Sequence, residues 1–75
     1  MSLKESVSAE IRAELARQAK TKKSIAELLK VSDSHAGKLI NGVRPFDLEQ
    51  IEIVANYLGI SINQLFPDSL KGVER

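Results

Sequence analysis

The sequence predicts an all-α fold, a bundle of five short helices, and three observations carry that prediction. Apolar residues recur at helical spacing, as Val7, Ile11 and Leu15 do. Helix-capping residues punctuate the chain at Thr21, Ser32, Asp47 and Ser61. The stretches between the resulting helices are only a few residues long, which favours an orthogonal bundle. A chain of 75 residues is one small domain, able to bury about 60 to 65% of the surface its unfolded form exposes. We read it as a single unit over residues 1–75, with a core at about 7–67 and a tail over 68–75. No separate ligand-sensing domain fits, and no small-molecule ligand is expected.

The first helix lies in "SVSAEIRAELARQA" and ends near Ala19. Thr21 then caps a second helix, "KKSIAELLK", whose apolar face is Ile25, Leu28 and Leu29 with the small Ala26 among them. Ser32 caps a third within "VSDSHAGKLINGVRP", where Gly42 suits the position after a helix end and Pro45 pushes Arg44 toward an extended conformation. Asp47 with Gln50 forms a capping box, Phe46 and Ile51 a hydrophobic staple, and Leu48, Ile51, Val54, Ala55 and Leu58 the buried face of a fourth helix that Gly59 ends. Ser61 with Gln64, and Ile60 with Leu65, repeat both devices for a fifth helix, "INQLF", which stops before Pro67.

Composition narrows the function. With no cysteine and one histidine, His35, disulfides, thiolate sites and multi-histidine metal centres are excluded, and neither a metal nor a cofactor is expected. Catalysis needs an orienting partner and a pocket that a small helical bundle with three aromatics hardly provides, so no enzyme is expected. No apolar run approaches the roughly 20 residues of a membrane span, and the amino-terminal segment carries charges where a signal peptide would be apolar. The expectation is a soluble, cytoplasmic protein associated with the nucleoid.

The net charge of +1 hides an asymmetry. Arg12 to Arg44 holds eight basic residues against three acidic ones, whereas Pro45 to Arg75 holds two against five. This offers a basic face to a polyanion, although an ordinary mixed surface gives the same counts. Lys22 and Lys23 are more specific. They occupy the first turn of the second helix, where the dipole disfavours cations by about 0.3 to 1 kcal/mol each. A phosphate at that helix end would turn the penalty into binding.

The third helix is poorly made, with Gly37 at its centre and only Ala36 and Leu39 to hold it on the core. Asp33, Ser34, Gly37 and Lys38 lie on its opposite side. The step "LLKVSDS" leaves about three or four residues for the turn, the length of a helix-turn-helix, so this helix is the second of the pair.

From Ile11 to Phe66 the chain resembles the Cro/C1-type (XRE-like) helix-turn-helix domain of phage repressors and bacterial regulators. The residues that carry the resemblance are Ala26 facing the turn, the apolar set Ile25, Leu29, Val31 and Leu39, the cap Ser32, the "NG" after helix three and the ending "LEQIEIVANYLGISINQLF". The resemblance implies a lambda repressor-like bundle in which helix three enters the major groove and helix two crosses above it. It places Asp33, Ser34 and Lys38 at base edges. Lys38 could donate to guanine O6 and N7 or meet a phosphate, Ser34 could bond to several bases, and Asp33 could accept from cytosine N4 or simply favour the helix dipole. It places Asn41 and Arg44 at the sugar-phosphate backbone. His35 is expected to face a phosphate, to cap the helix or to be an ordinary surface residue, and Arg17 and Gln18 are read as surface residues.

Two positions depart from the family pattern. Lys30 stands where glycine is usual, and a left-handed conformation there costs about 1 kcal/mol. Ala36 replaces a bulky aliphatic residue beside Gly37, which leaves helix three weak. The sequence does not decide whether Gly37 permits close approach to DNA or is merely tolerated. The expected function is a sequence-specific double-stranded DNA-binding transcriptional regulator, a repressor on a palindromic operator. Its homodimer contact is expected in the C-terminal region at Ile62, Leu65 and Phe66, with Leu70 and Val73 as further candidates, unless these residues close the monomer's own core. The alternative is a protein-interaction module of the same fold, an antitoxin or antirepressor, in which Glu49 and Glu52 would matter more.

Overall fold

The computed structural model describes residues 3–65. Four α-helices, α1 (Leu3–Arg17), α2 (Lys22–Leu29), α3 (Asp33–Ile40) and α4 (Leu48–Leu58), are followed by a short 3-10 helix at Ile62–Leu65. The expected fifth helix is thus a single 3-10 turn. Four residues give too few i→i+4 bonds for an α-helix. Phe66, Leu70, Val73 and the 68–75 tail lie outside the described residues.

The caps form as their sequence spacing predicts. Thr21 Oγ1 accepts from the Ser24 N–H at 3.2 Å, and Ser32 Oγ accepts from the His35 N–H at 3.0 Å. Asp47 and Gln50 close a reciprocal box, with bonds of 2.8 and 3.0 Å. Gln64 Oε1 accepts from the Ser61 N–H at 3.2 Å, while Ser61 Oγ takes the Asn63 N–H.

A single apolar core joins Val7, Ile11 and Leu15 of α1 to Ile25 of α2, Leu39 and Ile40 of α3, Ile51, Val54, Ala55 and Leu58 of α4, and the flanking Phe46 and Leu65. Leu48 departs from expectation, being 64% exposed. It is the first residue of α4, and at this end of the helix the core takes Phe46 instead. Ile40, not anticipated as a core residue, is 2% exposed and anchors the end of α3.

Two of the helices end on side-chain-bearing residues in the left-handed region, Ala19 (φ 56°) and Lys30 (φ 59°). At Ala19 the N–H bonds back to Ala16 O and the next N–H, of Lys20, to Leu15 O, which satisfies carbonyls left open at the helix end. Lys30 repeats this toward Glu27 O and Ala26 O and turns the chain into α3 within residues 30–32. Lys30 thus does adopt the left-handed form whose cost is set against it. α4 ends the same way on Gly59, where no Cβ opposes the conformation.

α1 also carries a buried acid. Glu14 is 8% exposed and accepts from Arg17 Nη2 at 2.6 Å and from Gln18 Nε2 at 3.1 Å. Gln18 Nε2 reaches the Leu58 carbonyl at 2.8 Å as well, so this half-buried side chain ties α1 to the end of α4 and is not simply a surface residue. The Arg17 hydrogen bond, helped by that from Gln18, holds the Glu14 carboxyl below the ordinary glutamate range.

Two outcomes follow from these local features. Ala19→Gly removes a left-handed side chain, and despite the looser unfolded chain it should raise stability by about 0.5 to 1 kcal/mol in thermal melts. Because the folded pKa of Glu14 is depressed, its contribution is complete above the ordinary glutamate pKa of about 4.3 and is lost as pH falls below it. Glu14→Gln should therefore flatten the loss of Tm on acidification relative to the wild-type chain.

Candidate nucleic-acid interface

α2 and α3 form the helix-turn-helix, packed on each other, with α1 beneath α3 and α4 beneath α2. The inner face of α3 is Ala36, Leu39 and Ile40, each 1–2% exposed. Asp33, Ser34 and Lys38 are exposed on the helix, and Gly37 is half-buried between them. Lys22 and Lys23 are exposed at the start of α2, and with Asp33 they line one open cleft. The beginnings of the two helices are thus side by side. Asp33 closes no ion pair with either lysine.

His35 is half-buried, and its part in the cap is only to supply the backbone N–H that Ser32 receives. Among the described residues the ring caps nothing. Asn41, exposed, ends α3 with its N–H on the Gly37 carbonyl at 2.9 Å. The chain then turns through Gly42, at φ 81°, where a side chain would be strained and would lie against Glu5 and Ser8 of α1. The N–H groups of Val43 and Arg44 both return to the Lys38 carbonyl, at 2.9 and 3.1 Å, which sets Arg44, exposed, close behind α3.

The eight cations of the basic segment divide into two groups. Arg12 donates to the Ile40 carbonyl at 2.7 Å, Arg17 pairs with Glu14, and Lys20 sits 4.6 Å above the Tyr57 ring. Among the described residues the other five, Lys22, Lys23, Lys30, Lys38 and Arg44, have no internal side-chain partner. All five belong to the helix-turn-helix or to the turn that follows it.

Sequence reasoning missed the residues that seat this surface. Ser8 is fully buried, and its hydroxyl donates to the Leu39 carbonyl at 2.7 Å beside the Arg12 bond to Ile40. The available signal was a polar residue on the apolar stripe, three positions before Ile11 and four before Arg12.

At the other end of the chain, Leu65 is fully buried in the monomer and cannot offer the dimer contact expected of it. Ile62 is half-buried against the core.

Comparison with known proteins gives two findings. The family model of the BetR domain matches residues 3–74. Among solved structures, the crystal structure of the clp gene regulator ClgR from C. glutamicum matches with a TM-score of 0.79 at 23% identity, covering 97% of this chain and 95% of that one. At this identity the likeness shows a shared fold. That neighbour is described as a gene regulator. No curated protein matches the sequence.

The seating of α3 makes a direct prediction. Ser8→Ala removes the 2.7 Å donor to the Leu39 carbonyl and leaves it only the longer bond from the Gly42 N–H at 3.3 Å, so it should lower unfolding free energy in denaturant titrations by about 0.5 to 1.5 kcal/mol.

Proposed function

The chain belongs to the BetR domain family, and we propose that it is a sequence-specific double-stranded DNA-binding transcriptional regulator whose α3 enters the major groove. The observation that carries this reading is the division of the cations. Within the basic segment, Arg12, Arg17 and Lys20, away from the helix-turn-helix, are engaged internally, whereas the five on it or in the turn after it are left without partners around an outward polar face.

In this reading Lys22 and Lys23 act with the open N–H groups of α2 on a backbone phosphate. Lys38 donates to guanine O6 and N7, Ser34 bonds to a neighbouring base edge, and Asp33 accepts from cytosine N4. Asn41 and Arg44 hold the adjoining backbone and fix register without reading sequence, and His35 lies toward a phosphate. The motif resemblance to Cro/C1-type domains supports the same docking, as does the likeness to a gene regulator.

One α3 reads only a few base pairs, so useful specificity calls for a dimer on a palindromic operator with half-sites about 34 Å apart. A dimer so placed would act as a repressor by occupying its operator. The C-terminal contact falls to Ile62 and Phe66, since Leu65 is taken up by the core.

Selection of bound sequences from random duplex DNA should enrich a palindromic motif. Affinity for that motif should fall steeply with salt, with a log–log slope of about −4 to −5 per subunit if about four to six phosphates are neutralised. Lys22→Ala with Lys23→Ala should weaken binding across sequences and make the slope shallower by about 2. Co-purification of a tight protein partner with no enriched motif would overturn the DNA reading in favour of an antitoxin or antirepressor.

A further inference from the structure

We propose that Gly37 clears the flank of α3 against the groove wall, its missing side chain letting the helix sink far enough for Ser34 to reach a base edge. This inference rests on the DNA-binding reading above. A Cβ built at Gly37 meets no atom within 4 Å, so the fold leaves room for a side chain. Its backbone is ordinary helix, outside the positive-φ set to which Gly42 and Gly59 belong. Neither packing nor conformation asks for glycine here, and mid-helix glycine is unfavourable relative to alanine.

The position explains what the fold does not. Gly37 lies one turn from both Asp33 and Asn41 and next to Lys38, on the flank of the outward face beside Ser34 and Asn41. A helix with its side chains is about 10 to 12 Å across and the major groove about 12 Å wide, so side chains on the leading face limit how deeply it enters. The exposed residues one turn away, Asp33, Ser34 and Asn41, are short and reach a base or phosphate only when the backbone is close. A methyl group at residue 37 would hold that backbone away.

The test compares the full chain with its Gly37→Ala variant, in thermal melts without DNA and in titrations against a selected duplex and a random duplex over a range of salt. The variant should melt about 4 to 8 °C higher. Its affinity for the selected duplex should fall at least about tenfold, while its random-duplex affinity and salt slope stay as in the wild type. Unchanged or improved affinity for the selected duplex would overturn the inference alone, as would a lower Tm or an equal loss on random DNA. A wild-type chain that enriches no duplex sequence would instead overturn the DNA-binding reading, and this inference with it.

Discussion

Everything proposed for this surface depends on how α1 grips the end of α3. The last four carbonyls of any α-helix lack intrahelical partners, and in an eight-residue helix that is half of them. Here each is taken. The Gly37 carbonyl accepts from Asn41, that of Lys38 from Val43 and Arg44, that of Leu39 from Gly42 and the Ser8 hydroxyl, and that of Ile40 from Arg12. Four of the six donors are backbone N–H groups of the turn after α3, and the other two are side chains of α1. With its inner face and its carboxy-terminal end satisfied in this way, α3 needs no stabilising contact from its outer face, which is left free to vary in chemistry.

The connections impose their own cost. To turn α1 into α2 and α2 into α3 within a few residues, the chain places Ala19 and Lys30 in the left-handed region, which for a side-chain-bearing residue costs about 1 to 2 kcal/mol. At Lys30 a cation at a helix carboxy terminus offsets part of this. Ala19 has no such offset. In return, the N–H groups at both positions close the preceding helix, so the strain is tied to a structural purpose visible within the chain itself.

The parts of the fold that could be read from sequence are those governed by neighbours three or four residues apart. Caps at Thr21, Ser32 and Asp47 formed because each needs only its own helix. The bonds that were missed span 31 residues from Ser8 to Leu39, 28 from Arg12 to Ile40 and 40 from Gln18 to Leu58. No periodicity encodes them, because each depends on where a second helix lies. Leu48 was misplaced for a related reason: a helical face can be projected, but which end of that face the core reaches is a tertiary fact. Within the candidate site, the outward positions of α3 were legible from its sparse apolar residues. Which cations are available was not, since composition counts Arg12 and Lys38 alike while the fold bonds the first and leaves the second open.

Departures from good local design therefore fall into two kinds. Ala19 and Lys30 violate a backbone preference, and the chain reversal they produce accounts for it. Lys22 and Lys23 oppose the dipole of α2, and Gly37 weakens α3, with no internal contact to account for either. A sequence that specifies its fold well is consistent across levels, and unexplained exceptions gather where function overrides stability. Here the unexplained exceptions fall on the two helices of one helix-turn-helix, at the residues an anionic duplex would touch. Their placement is what favours the proposed interface over a merely basic surface: a solvated charged face would account for the lysines, but it gives no reason for a glycine among them.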